Sequence, residues 1–429
     1  MQKLFLVCLT AFVLTSCFKQ TPTLQTETLS IATPSSVGLS GARLNRIDSM
    51  LTFAVSEKKI PGAVALIARH GKIVYYKAFG MADNTSKTDM ELDHIFRIAS
   101  QSKAITSTAV MMLWEEAKFS LDDPISKYIP EFGEAQLLDT FNEADSSYTT
   151  KPADTQITIR NLLTHTSGIG YGKIDGDLRF KKLYAKAGIV DLFTTENVAI
   201  GDNIKKLAKL PLHHNPGEKY TYSEGLDVLG YFVEIMSGMP FDEFLKTRIF
   251  EPLGMEDTQF YLPESKYDRL VTVQTKEDNV WVKYPVTFYD TDYPKTGAKR
   301  FLSGGAGLSS TAKDYATFLQ MYLNKGELNG VRLLSRTTVE TILTNQIPYI
   351  SENIERAHGL AFGLVDKKKH DLGGNSSEGT FEWGGYFNTK YFADPKEDYI
   401  GILLKQTQRI SGDDTSQIFR TLVNQAVDD

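Results

Sequence analysis

The stretch Phe96-Arg97-Ile98-Ala99-Ser100-Gln101-Ser102-Lys103 decides how the rest of the chain is read. It leads into Ala104, Ile105, Ala109, Met112 and Leu113, whose three- and four-residue spacing predicts an apolar helix opened by Ser100. A serine in the first turn of a buried helix has its Oγ near unpaired backbone N–H groups and the positive end of the helix dipole. Residues three apart share a helix face, so the Lys103 ammonium can reach Ser100 Oγ. That neighbour matters, because a free serine hydroxyl is a poor nucleophile until an adjacent base takes its proton. A lysine can be such a base only where burial or nearby charge favours its neutral form.

Ser-x-x-Lys occurs four times, so the bare pattern says little. Ser16 to Lys19 belongs to the leader region, and Ser56 to Lys59 to the polar end of a predicted helix. Ser310 to Lys313 overlaps Thr311-Ala312-Lys313-Asp314, which has the form of a helix capping box. Each of these three has an adequate structural reading. Only the pattern at Ser100 stands between an apolar run and an apolar helix.

Outward from this motif, 429 residues with 41% hydrophobic and 23% charged content can bury a large core in two or three structural units. Leu44, Ile47, Leu51 and Ala54 predict a helix over about 42–57. Two strands are expected at 63–68 and 73–78, joined by Arg69-His70-Gly71-Lys72 with Gly71 at positive φ. The segment of about 96–262 reads as mainly helical, with long polar connections near 131–156 and 169–203. Two more strands fall between Thr389 and Leu404, turning at Asp394-Pro395-Lys396-Glu397-Asp398, and a helix over about 415–426 closes the chain. The expectation is an α+β fold in three α/β/α layers. Its antiparallel sheet is made from both chain ends, flanked by terminal helices and interrupted by the helical insertion. A cleft between two such units is a usual place for a small-molecule site.

The N-terminus reads as an export leader. Lys3 precedes the apolar stretch Leu4 to Leu14, which is too short for a permanent membrane span but suits a signal peptide over residues 1–16. Residues 18–38 are rich in Thr, Ser, Pro and Gln and read as a flexible tether beginning at Cys17, with the folded domain at 39–429. The two cysteines, Cys8 and Cys17, both lie in this region, so the mature chain can form no internal disulfide and no thiolate metal site. A net charge of −6 without a basic run argues against nucleic acid as a partner. None of the seven histidines forms His-Glu-x-x-His, and Gly-x-Ser-x-Gly is absent, so neither a zinc enzyme nor a nucleophile-elbow hydrolase has support. No cofactor and no metal are expected. His165 reads as a turn residue.

With these fragments in place, the chain resembles the serine β-lactamase and penicillin-binding protein superfamily, in particular its class C-like branch with the family VIII esterases. The resemblance spans about residues 40–428. Besides the Ser100 motif it rests on Leu162-Leu163-Thr164-His165-Thr166-Ser167-Gly168, Pro216-Gly217-Glu218, Tyr222-Ser223, Phe250-Glu251-Pro252-Leu253-Gly254-Met255, Gly304 to Thr311 and Asp394-Pro395. Leu14-Thr15-Ser16-Cys17 likewise resembles the bacterial lipobox, which implies a lipid on Cys17 and a membrane lipoprotein facing the periplasm.

The resemblance implies that Ser100 is the nucleophile, with Lys103 and Tyr222 as its proton partners. It also implies an oxyanion wall at Trp383-Gly384-Gly385, with the N–H groups of Ser100 and Tyr386 as donors. Each such donor is worth roughly 100- to 1,000-fold in rate. Two positions depart from the lactamase pattern. Glu224 stands where an amide is common and is expected to add a negative charge near the acylation site that repels a β-lactam carboxylate, and Trp383 stands where a cation would hold that carboxylate. Both departures favour small acyl esters, with a neighbouring small-molecule amide substrate as the variant. The alternatives are a β-lactamase or D-amino-acid peptidase and, from another class, an inactive lipoprotein that binds cell-wall fragments.

Overall fold

The computed structural model describes residues 29–350, 357–371 and 375–429; the expected signal peptide and Cys17 lie outside the described residues. Helix α1, Gly41–Ser56, is capped by the Ser40 side chain and buries Leu44, Ile47, Leu51 and Ala54, the four residues whose spacing predicts it. Strands β1, Gly62–Arg69, and β2, Lys72–Asp83, follow as a hairpin. Both turn residues are left-handed, His70 at φ 51° and Gly71 at φ 69°. A two-residue turn with both φ positive matches the twist of the strands, so His70 shares a conformation expected of Gly71 alone.

The apolar helix that carries Lys103 is α2, Ser102–Glu115. Helix α3, Gly225–Ser237, begins just beyond Tyr222, and α4, Ala312–Leu323, is capped by Thr311, whose side chain accepts from Asp314 N–H. Strands β3, Phe381–Gly385, β4, Thr389–Asp394, and β5, Tyr399–Leu404, precede the closing helix α5, Thr415–Asn424.

The sheet joins both ends of the chain. Its order is Ser30–Ile31, β2, β1, β5, β4, β3, Gly363–Leu364, Ala357–His358, antiparallel except for the pairing of Ser30–Ile31 with β2. Every residue of β1 and β5 is buried, and the pleat divides them between two layers. Ala63, Ala65, Ile67 and Leu403 pack with α1 and with Phe419 and Val423 of α5. Val64, Leu66, Ala68, Ile400, Ile402 and Leu404 belong to the larger core that contains α2, α3 and α4. Each fully buried aliphatic side chain contributes roughly 1.5–3 kcal/mol. The three-layer α/β/α arrangement follows from apolar residues on both faces of the central strands.

Three expectations are corrected. The tether predicted for 17–38 is docked from Leu29 onward. Leu29 is buried, Ser30–Ile31 pairs with β2, Pro34–Val37 forms a 3-10 helix, and Ser40 N–H donates to Ala426 O at 2.8 Å. A Thr- and Ser-rich segment can still find edge-strand hydrogen bonds, which composition does not reveal. The polar stretch 131–156 holds a β-hairpin, Gln136–Phe141 with Tyr148–Pro152, and 169–203 holds the helix Leu178–Ala187. Among the described residues no helix is long and apolar enough to cross a membrane.

Candidate active site

Ser100 lies in a 3-10 turn, Ala99–Gln101, immediately before α2. Ala99 is fully buried at φ 44°, a left-handed conformation that costs a residue with a Cβ of order 1–3 kcal/mol. The turn is held by Ile98 N–H donating to Leu308 O at 3.1 Å and Gln101 N–H to Ile98 O at 3.0 Å. Ser102, two residues on, is fully buried and its Oγ accepts from Leu308 N–H, a structural duty. Ser100 is half-buried and turned to the cleft partners.

The structure brings the three expected residues together. Tyr222 Oη donates to Ser100 Oγ at 2.7 Å, and Lys103 Nζ stands 3.4 Å from the same oxygen. Lys103 is 3% exposed and also donates to Gly305 O at 2.7 Å and Tyr171 Oη at 3.0 Å. Its Nζ is 4.7 Å from the Tyr222 ring centroid and 5.6 Å from that of Tyr171. A buried ammonium thus has three acceptors and two aromatic faces to offset its desolvation. Burial, and then the Tyr222 and Asp227 oxygens, hold the Tyr171 phenol well above its ordinary pKa.

His165 fixes the Tyr222 loop. It is buried at φ 56°, its carbonyl accepts from Thr221 N–H at 2.8 Å, and its Nδ1 accepts from Ser223 N–H at 3.3 Å. Burial, followed by the His358 and Lys103 charges, holds its imidazole well below the usual histidine range. The neutral ring lies 4.8 Å from the Tyr222 ring. It is a turn residue, as its motif suggests, and not a base aimed at Ser100.

On β3 the pleat separates Trp383 and Gly385 from Glu382 and Gly384. Glu382 faces α5, where it pairs with Arg420. Gly384 pairs in register with Lys390, and a Cβ on Gly384 would meet only the flexible end of that lysine. Lys390 therefore lies on the face opposite Trp383. Gly385 faces the nucleophile, and a Cβ there would stand 2.4 Å from Ile98 O, so glycine is required by the close approach of the strand to the Ser100 turn. Tyr386 follows at the strand end, its carbonyl accepting from Gln408 Nε2. The half-buried Trp383 ring lies 6.0 Å from Tyr222 and 5.4 Å from His358.

Behind Tyr386 pack the buried rings of Phe193 and Tyr289, whose centroids lie 6.2 and 6.0 Å from its own. Tyr171 and the Gly305 carbonyl, which hold Lys103, are site groups that the sequence reading missed. Tyr171 sits in a connection without periodicity, and a backbone carbonyl has no sequence signal.

The expectation for Glu224 is also corrected. It does not place a negative charge in the substrate's path, because it is 1% exposed and sits at the start of α3 beside Asp191 and Asp227. Burial, and then the charges of Asp191 and Asp227, hold its carboxyl well above the usual carboxylate range. His213 pairs with Asp175 at 3.1 Å and stacks on Phe180, while His214 is buried against Thr221.

A serine Oγ flanked by a phenol and an ammonium, at a helix start and beside a glycine strand, is equipped for acyl transfer. Comparison with known proteins agrees. The protein family described as Beta-lactamase matches residues 46–423. Esterase EstB of Burkholderia gladioli is 31% identical over 391 residues, covering 87% of this chain and 93% of that protein. Lovastatin esterase of Penicillium rubens is 28% identical, covering 87% and 96%. Among solved structures, EstCE1, a hydrolase with promiscuous acyltransferase activity, aligns with a TM-score of 0.75 and 26% identity over 89% of this chain and 98% of its own.

Proposed function

The chain belongs to the Beta-lactamase family and is a serine hydrolase of the esterase-like kind, and we propose that its acyl-enzyme forms on Ser100. The observation that carries this assignment is the 2.7 Å contact between Tyr222 Oη and Ser100 Oγ, with Lys103 Nζ on the same oxygen.

Ser100 Oγ attacks the ester carbonyl carbon as its proton passes to Tyr222, which acts in its phenolate form and becomes a neutral phenol on accepting it. Until that transfer the Lys103 ammonium stabilises the negative charge on the phenolate oxygen. The carbonyl oxygen, now an oxyanion, lies between the N–H groups of Ser100 and Tyr386. Tyr222 returns the proton to the departing alkoxide, which leaves as the alcohol, and the acyl group stays on Ser100. Water then repeats the sequence, giving up its proton through Tyr222 and releasing the acid.

Small acyl esters suit a site bordered by the half-buried Trp383 and Tyr386 rings, since aromatic faces bury acyl chains without demanding a charge. At the N-terminus, the apolar stretch Leu4 to Leu14 followed by Leu14-Thr15-Ser16-Cys17 supports a signal peptide, a lipid on Cys17 and a periplasm-facing membrane lipoprotein.

Labelling tests the assignment. A fluorophosphonate probe is expected to modify Ser100, located by peptide mass spectrometry, and Ser100→Ala to lose both labelling and ester hydrolysis while keeping its melting transition. A folded Ser100→Ala protein with full activity removes the assignment.

A further inference from the structure

We propose that Asn388 is a positioning residue for the oxyanion site: held by the buried Lys405–Asp413 ion pair, it fixes the direction of the Tyr386 N–H. The proposal rests on the acyl-enzyme reading above and deepens it.

Three residues, Tyr386, Phe387 and Asn388, join β3 to β4, with Gly385 and Thr389 paired in register at the base of the loop. Asn388 N–H donates to Gly385 O at 3.0 Å and closes the turn. That oxygen belongs to the same peptide unit as the Tyr386 N–H. A trans peptide is planar and points its N–H away from its C=O, so whatever holds Gly385 O also aims the Tyr386 N–H.

Asn388 stands at φ 69°, the left-handed position that ends a three-residue hairpin loop and that glycine fills at least cost. Backbone need alone therefore does not explain an asparagine. The side chain does. Its Nδ2 group donates to Asp413 Oδ2 at 2.7 Å and to Thr407 Oγ1 at 2.9 Å, which uses both amide hydrogens. The segment after β5 also holds the other two carbonyls of the turn. Thr407 N–H donates to Phe387 O at 3.1 Å, and Gln408 Nε2 to Tyr386 O.

Asp413 is itself built in. Its side chain is 5% exposed and that of Lys405 is 0% exposed. The Lys405 ammonium donates to Asp413 Oδ2, to Thr415 Oγ1 at 2.8 Å and to Ser416 Oγ at 3.1 Å. Asp413 Oδ1 accepts from Thr415 N–H at 3.0 Å and from the Thr415 hydroxyl. A buried ion pair adds little net stability over apolar residues of the same volume, so its worth here is geometric. It ties the end of β5, the start of α5 and the β3–β4 turn at one point. The strand end so anchored is the one that meets the nucleophile, where a Cβ on Gly385 would stand 2.4 Å from Ile98 O. An oxyanion donor works only within about 2.7–3.1 Å of the developing charge, so a small tilt of this peptide is felt in the rate.

The test measures kcat and KM for p-nitrophenyl butyrate, and the inhibition constant of a butyl trifluoromethyl ketone, in the full-length enzyme, Asn388→Gly and Asn388→Ala, with thermal melts. Ser100 Oγ adds to the ketone as it does to an ester, and the oxygen of the adduct occupies the oxyanion site. Asn388→Gly keeps the left-handed backbone and removes only the side-chain bonds. It is expected to lower kcat by about tenfold, less than the loss of a whole donor costs, and to weaken the ketone by a similar factor. KM should change by less than about threefold, because ground-state binding does not use the donor fully. Asn388→Ala adds backbone strain and is expected to fall at least as far. The proposal is overturned if Asn388→Gly matches the unaltered enzyme, since the residue then serves only its backbone angle. It is overturned too if kcat falls while ketone binding holds, because the loss then lies away from the oxyanion. The Asn388→Gly comparison decides even where Asn388→Ala fails to fold. Fluorophosphonate labelling of Ser100 in the unaltered enzyme keeps the two readings apart: its absence removes the site itself, whereas labelling beside an unaffected Asn388→Gly removes only the role of Asn388.

Discussion

Replacing Tyr222 by Phe removes one oxygen and leaves the ring in place, 4.7 Å from Lys103 Nζ, 4.8 Å from the His165 ring and 6.0 Å from Trp383. The lost oxygen is the one that touches Ser100 Oγ at 2.7 Å. Its structural worth is a single hydrogen bond, roughly 0.5–1.5 kcal/mol, and Ser100 keeps Lys103 at 3.4 Å. Its chemical worth is larger. Proton transfer by a positioned group contributes about 100- to 10,000-fold, which at 1.36 kcal/mol per decade is roughly 2.7–5.5 kcal/mol. The expectation is therefore a fall in kcat of at least about 100-fold, with a melting temperature lowered by no more than a few degrees. Steady-state turnover of p-nitrophenyl butyrate gives kcat and KM, and calorimetry gives the melt. If Tyr222→Phe keeps kcat within about threefold, the proton goes to Lys103 directly and the role given to Tyr222 is wrong. A large loss accompanied by an equal collapse in stability also refutes the reasoning, because the ring was then holding the fold.

Further expectations concern the strand, the substrate and the leader. Gly385→Ala should cost up to about 100- to 1,000-fold in kcat by pushing Tyr386 N–H off the oxyanion, whereas Gly384→Ala stays near the unaltered enzyme because only a lysine tip must move; equal effects would dissolve the distinction. p-Nitrophenyl butyrate should be a far better substrate than nitrocefin by kcat/KM, since Trp383 supplies no cation for a carboxylate and Lys390 lies on the other face of the sheet; a preference for nitrocefin favours the lactamase reading. Cys17→Ser should move the protein from the membrane fraction to the soluble periplasm, and an unmodified Cys17 in a wholly soluble mature protein contradicts the anchor.

Much of this was legible in the linear chain because it depends on near neighbours. The spacing of Leu44, Ile47, Leu51 and Ala54 names the buried stripe of α1, and the unbroken apolar run of β1 implies two covered faces. Ser100 and Lys103 are three residues apart on one turn, so their meeting needs only local backbone geometry. Tyr222 was named through a resemblance, since no local rule brings it across 122 positions to Ser100.

What lay beyond sequence reading belongs to contacts between distant segments. Tyr171 and the Gly305 carbonyl reach the site on irregular connections, where neither period nor composition predicts direction. Glu224 shows the same limit most clearly. Its identity suggested a charge in the substrate's path, yet tertiary packing seals it behind Tyr171 with two other acids. A side chain's identity determines which protons it can carry, while the dielectric and the neighbours around it, which only folding assembles, determine whether it carries them.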